Sequence, residues 1–169
     1  MRWFGLSRRR QAALRPARMD DARAIAELHS LSFSHPWPTL TVESLLADRT
    51  VRAHVADNGR IVGFLLLRVA ADEAEVLSIG VAPSARARGL GRRLMEAGLD
   101  GLVFDRIRLV FLEVETENLG ALKLYQRLGF ELIGRRKGYY RGSDGISRDA
   151  LTMRLDISSR SPATPLLDG

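Results

Sequence analysis

The stretch from Val76 to Leu102 constrains this chain's fold more than any other part of it. An apolar run, Val76-Leu77-Ser78-Ile79-Gly80-Val81, is closed by Ala82-Pro83. Arg86-Ala87-Arg88-Gly89-Leu90-Gly91 follows, and behind it Leu90, Leu94, Met95 and Leu99 recur at helical spacing. The pattern reads as a buried strand, a basic glycine-bearing turn and a helix. Gly89 and Gly91 lack a Cβ, so a ligand can approach the backbone closely and positive φ is accessible. The free N–H groups of a helix start, with the dipole behind them, suit a phosphate or pyrophosphate. Arg86, Arg88 and Arg92 add positive charge around the same place. The plain alternative is a strand-to-helix turn that holds arginine only because the whole chain does. The motif is not Gly-x-Gly-x-x-Gly and lacks the Gly-Lys-Ser/Thr ending of a P-loop, so both of those nucleotide folds are disfavoured.

At 169 residues, with 46% hydrophobic and 27% charged side chains, the chain is one domain of ordinary size with material for a full core. No apolar run approaches the roughly 20 residues of a bilayer span. Cysteine is absent, which excludes disulfides, thiolate metal sites and a cysteine nucleophile. His29, His35 and His54 show no metal-ligand spacing, so no metal is expected. Residues 1–18 hold six arginines and no acid, and the net charge of +6 therefore resides in that segment. The rest balances, which argues against a specific nucleic-acid face.

Residues 1–11 read as a basic extension, disordered or touching an anionic surface through Trp3, Phe4 and Leu6. They lack the apolar centre of a signal peptide, so a cytoplasmic location is expected. Residues 12–157 read as a single domain and 158–169 as a disordered tail. Within the domain, Leu14–Ala17 is an edge strand, and Asp20 or Asp21 caps a helix that buries Ile25 and Leu28. Trp37, exposed between Pro36 and Pro38, is a candidate wall for substrate or a packing residue of its loop. A second short helix covers Thr41–Leu46. Val51–Ala56 and Ile61–Val69 pair around Asp57-Asn58-Gly59. After the central strand and its helix come a strand over Ile107–Val114 and a helix over Asn118–Leu128 that Gly129 stops. Two last strands, Phe130–Ile133 and Ala150–Leu155, are joined by a loop containing Tyr139 and Tyr140. This order predicts an α/β (α+β) fold with a mixed sheet of about six to seven strands flanked by four helices.

Arg-x-x-Gly-x-Gly after a buried strand resembles the acetyl-CoA signature of the GNAT superfamily of N-acetyltransferases. The resemblance covers about Leu14 to Leu155. Leu112-Glu113-Val114, then Asn118, then Ala121-Leu122-Lys123-Leu124-Tyr125-Gln126-Arg127-Leu128-Gly129-Phe130 resembles the RimI-type branch, which acetylates the N-terminal alanine of a ribosomal protein. Gly138-Tyr139-Tyr140 and Asp149-Ala150-Leu151-Thr152-Met153 are similar to that branch as well.

That resemblance implies acetyl-CoA as co-substrate and a set of residue roles. The pyrophosphate would lie on Arg86, Ala87, Arg88, Gly89, Leu90, Gly91 and Arg92. The acetyl-pantetheine arm would run along Ile79, Gly80 and Val81, where two sheet strands splay, with Ser78 and Gly80 easing a bulge. Asn118 would cap its helix and touch the cofactor. Glu113 would be the general base and Tyr125 the donor to the leaving sulfur. Tyr139, Tyr140 and Trp37 would face the substrate peptide.

From the residues alone, Glu113 sits in an otherwise apolar strand, where a carboxylate needs a partner or a purpose. Alternation places it on one face with Phe111 and Glu115. Tyr125, three residues from Leu122 and Leu128, turns at least partly inward, and a core tyrosine bonded to backbone is its plain alternative. The implied function is acetyl transfer to a protein N-terminus, by a monomer or weak homo-oligomer. The alternatives are acetylation of a small amine or lysine, and a non-catalytic CoA- or ribosome-binding module.

Overall fold

A computed structural model describes residues 11–161. Of the expected extension (1–11) and tail (158–169), positions 1–10 and 162–169 lie outside the described residues, whereas Ser158 bonds to Asp156 and Arg160 to the Ile157 and Leu128 backbones. In chain order the elements are β1 (Ala13–Pro16), a 3-10 turn (Met19–Asp21), α1 (Ala22–Ser30), α2 (Thr39–Ala47), β2 (Val51–Asp57), β3 (Ile61–Ala70) and β4 (Glu73–Val81). After a second 3-10 turn (Pro83–Ala85) come α3 (Leu90–Phe104), β5 (Leu109–Glu115), α4 (Leu119–Leu128), β6 (Glu131–Arg141) and β7 (Ser147–Asp156). The seven strands form one sheet in the order β1-β2-β3-β4-β5-β7-β6. Only β4 and β5 run parallel among the paired strands. This is the expected mixed α/β fold.

β3 supplies the centre of the core. Phe64, Leu65, Leu66 and Leu67 are all fully buried, as a strand covered on both faces requires. α3 covers the face of Leu65 and Leu67, and closely: a Cβ on Gly98 would stand 2.5 Å from the Leu65 side chain. α1 covers the other face, where His29 lies over Phe64 with ring centroids 6.2 Å apart. Arg15 ties the edge together by donating twice to Asp21, at 2.8 and 2.9 Å, and twice to Asp57 on β2.

Four expectations need correction. Asp21 does not cap α1 with its side chain; its carboxylate accepts the Arg18 N–H at 2.7 Å and so holds the preceding 3-10 turn. Trp37 is half-buried rather than exposed, because its ring stacks on His29. The loop expected before the last strand is mostly strand: β6 runs on to Arg141 and contains Tyr139 and Tyr140. Glycine and basic residues hid it, since an exposed edge strand needs no apolar alternation. The bulge in β4 falls at Leu77, beside Ser78, where Leu66 pairs with Ser78 but Leu67 with Val76.

Candidate active site

The site begins where the sheet comes apart. β4 and β5 pair at only three positions, Glu73 with Leu109, Ala74 with Val110 and Glu75 with Phe111. From Val76 onward β4 has no β5 partner, because the Leu77 bulge turns it away while β5 follows β7 to Glu115. An extended strand edge beside a cleft can take main-chain hydrogen bonds from an extended ligand. Ile79 and Val81 are half-buried along it, while Gly80 is buried against Phe64. The Ser78 hydroxyl nearby is buried without a hydrogen-bond partner.

The loop that follows leaves a run of backbone amides without partners. Gly89 is the N-cap of α3 with φ of 72°, and Ala87 also takes positive φ at 58°. Among the described residues the N–H groups of residues 87–92 donate to no acceptor, in a segment exposed up to Gly89. Such a run of amides at a helix start attracts a phosphate. The three arginines differ. Arg86 is a strut, its guanidinium donating to the Val81 carbonyl at 3.0 Å and the Ser32 hydroxyl at 3.1 Å. Arg92 pairs with Glu96 one turn along, at 2.7 Å. Arg88 makes no hydrogen bond among the described residues and is the free cation of the loop. Leu90 is buried, so only its backbone faces the loop. Gly91 faces α4, 3.5 Å from Leu124 at the Cβ position.

α4 lies against this loop. Asn118 caps it, Oδ1 accepting the Ala121 N–H at 3.2 Å, and Gly129 ends it with φ of 94°. Tyr125 is 5% exposed and packs edge-on against Phe130. Its hydroxyl makes no hydrogen bond among the described residues, so the core tyrosine bonded to backbone is not what forms. Burial pushes its pKa up to about 12, with Tyr140 adding to the rise. Tyr140 is likewise pushed up to about 12 by burial and then by Glu113, Tyr139 and Glu115. These side chains therefore share one electrostatic neighbourhood, and both phenols remain proton donors at neutral pH.

Glu113 alternates with buried Leu112 and Val114, so it projects from the half-exposed face of β5. Its carboxylate accepts from Arg136 on β6 at 2.8 Å. That arginine also lies over the Tyr139 ring, 4.1 Å from its centroid. Sequence reading missed Arg136. No local motif marks it, and the pairing depends on strand register two strands away. Trp37 stacks on His29 with ring centroids 4.4 Å apart and makes no hydrogen bond to these residues among those described. A groove of about 420 Å³ lined by His54, Gly101 and Phe104, among others, contains none of the expected site residues. No group of three potential metal ligands occurs among the described residues.

A splayed α/β sheet opening beside a run of free amides is a candidate site for a group carried on a phosphorylated cofactor. The model of the acetyltransferase (GNAT) family matches residues 22–130. The N-alpha-acetyltransferase RimI of Mycobacterium tuberculosis is 40% identical over 148 residues, covering 83% of this chain and 90% of that protein. The crystal structure of the ribosomal-protein-S18-alanine N-acetyltransferase from Escherichia coli superposes with TM-score 0.82 and 29% identity, over 90% of this chain and 98% of that one. Arabidopsis thaliana NAA60, solved in complex with acetyl-CoA, shares the fold with TM-score 0.77 at 19% identity, over 86% and 98% of the two chains. The chain belongs to the GNAT acetyltransferase family, and it is an N-acetyltransferase.

Proposed function

We propose that the enzyme moves the acetyl group of acetyl-CoA to the α-amino group of an N-terminal alanine on a ribosomal protein, in the cytoplasm. The opening between β4 and β5 carries this reading: Glu113 lies on the β5 stretch that flanks it, and the free amides of residues 87–92 follow β4 beyond it. The likeness to the relatives named above supports the choice of acceptor.

In this reading the pyrophosphate rests on the amides of residues 87–92 with Arg88 beside it, and Arg86 braces the loop. Asn118 touches the cofactor from the start of α4. The pantetheine arm lies along Ile79-Gly80-Val81, whose backbone N–H polarises the thioester carbonyl. The α-ammonium, with an ordinary pKa of about 7.7–8.0, gives its proton to Glu113 directly or through water. The amine nitrogen then bonds to the acetyl carbon and the C–S bond breaks; the leaving sulfur takes a proton from Tyr125, and the second proton of the amine nitrogen passes to the tyrosinate, so that a neutral amide, a CoA thiol and the phenol result. Tyr139 and Tyr140 line the peptide's path, with Trp37 at its edge. A phenol held near pKa 12 is a donor and not a base, which suits Tyr125 to departure of the thiol rather than to the first deprotonation of the α-ammonium.

The test offers acetyl-CoA with N-terminal alanine peptides of ribosomal sequence, lysine peptides with blocked N-termini, and polyamines. The expected result is turnover on the first set at least tenfold above the others in kcat/KM. Preference for lysine or polyamine would replace the acceptor, and no turnover on any would leave only a binding module.

A further inference from the structure

The Glu113–Arg136 pair has a geometry that the acetyl-transfer reaction does not by itself require. Along the sheet, Glu113, Thr152 and Gly134 form one cross-strand row, and Glu115, Ala150 and Arg136 form the next row on the same face. Arg136 therefore starts opposite Glu115. It crosses Ala150 diagonally to reach Glu113, past Gly134, which has no side chain to stand in the way. The crossing is anchored from the far side. Between Arg136 and Tyr140 the register slips, three β6 residues facing one on β7, with Gly138 at φ of 61°. Asp149 fastens this bulge by accepting the Gly138 N–H at 2.9 Å and Arg135 Nε at 2.7 Å.

Arg136 holds Tyr139 at the same time. While paired with Glu113, its guanidinium lies 4.1 Å from the centroid of the exposed Tyr139 ring, a contact that does not use the carboxylate. The side chain is about half exposed, at 55%, against 23% for Glu113. A pair this open to water is held weakly and can exchange.

We infer that Arg136 is a latch on Glu113: it occupies the place that the acceptor's α-ammonium must take, and the acceptor binds by displacing it from the carboxylate while it keeps its contact with Tyr139. This rests on the reading of Glu113 as the group that receives the acceptor amine. The two cations compete for one carboxylate. The latch keeps Glu113 compensated while the cleft is empty, and it taxes every acceptor by the same factor.

The test measures binding of an N-terminal alanine peptide to the full chain saturated with CoA, by calorimetry, together with initial rates. Arg136→Gln is expected to tighten the peptide Kd by roughly two- to fivefold, the scale of an exposed ion pair. The acceptor KM should fall with it and the acetyl-CoA KM should stay put. Arg136→Lys should remain near wild type. An N-acetylated peptide, which has no ammonium, should bind both proteins equally. In a Glu113→Gln background Arg136→Gln should change nothing, because no carboxylate is left to contest. An unchanged or weaker Kd for the free-amine peptide overturns the latch, as does equal tightening for the blocked peptide. Full turnover by Glu113→Gln would instead overturn the base assignment, and the binding arms would still decide the latch.

Discussion

His29 and Trp37 hold one another: their rings stack with centroids 4.4 Å apart, and the Trp37 backbone N–H donates to His29 Nδ1 at 3.2 Å. Phe33 stacks on the same imidazole at 4.3 Å, so the turn after α1 closes over a nearly buried ring. Accepting at Nδ1 leaves the proton on Nε2 and the ring neutral. Burial lowers the pKa to about 4, from 6.5 in the unfolded chain. Between these values the unfolded state binds the extra proton, so folding stability falls as pH drops from about 6.5 toward 4. The loss should reach as much as about 2 kcal/mol by pH 5. Urea denaturation at pH 7 and pH 5 measures it, and His29→Gln should flatten the difference. An equally steep loss in that variant would assign the acid sensitivity to other groups.

Gly80 is held to glycine by Phe64. A Cβ there would lie 2.5 Å from Phe64 Cε1, a distance that requires the ring or the strand to move. Gly80→Ala should therefore cost about 1–3 kcal/mol through overpacking. It should also depress activity, since the proposed path of the thioester arm runs along β4 at this point. Phe64→Leu frees the space, so the double variant should recover part of the stability lost by Gly80→Ala, a non-additivity that thermal melts can detect. Simple additivity would mean that the strand yields and the ring does not.

How far the sequence could be read differs by region, for physical reasons. Val76–Val81 and the helix after Gly89 are legible because a buried strand and an amphipathic helix carry opposite periodicities. The caps at Asn118 and Gly129 are legible because each follows from one residue's local chemistry. β6 was not, since its exposed face holds arginine, lysine and glycine where a pattern would be sought. The bulge at Leu77 and the parting of β4 from β5 are properties of pairing between distant strands, and no window of sequence contains them. Arg136 belongs to the same class: only a register across β5, β7 and β6 brings it to Glu113.

The proposed anion loop can be tested so that strain is separated from ligand contact. A Cβ at Gly91 meets Leu124 at 3.5 Å, an ordinary contact, whereas Gly89 has open space but a φ of 72°. Gly91→Ala should leave the melting temperature without ligand nearly unchanged, and Gly89→Ala should lower it by the equivalent of about 1 kcal/mol. Acetyl-CoA stabilises the native state by mass action, and both variants should lose most of that upward shift. A full shift in both would remove the pyrophosphate from this loop.

The two proposed catalytic groups can be told apart by what rescues their loss. Glu113→Gln keeps the size and hydrogen bonding of the side chain but removes the base, so turnover should fall by about 10²–10⁴-fold at neutral pH. The acceptor amine is half neutral near its own pKa, so raising the pH toward 9 should recover part of the deficit. Tyr125→Phe removes only the hydroxyl from a packed site beside Phe130 and leaves the fold intact. Its deficit should persist at every pH below the phenol's own titration near 12, because it concerns the departing sulfur and not the amine. An acetyl thioester whose leaving thiol has a lower pKa needs less help to depart, so it should narrow the gap between Tyr125→Phe and wild type while leaving that of Glu113→Gln as wide as before. Wild-type turnover by Glu113→Gln across the pH range would move the base to Glu115 or a water chain. A Tyr125→Phe deficit that ignores the leaving group would reduce Tyr125 to a packing residue.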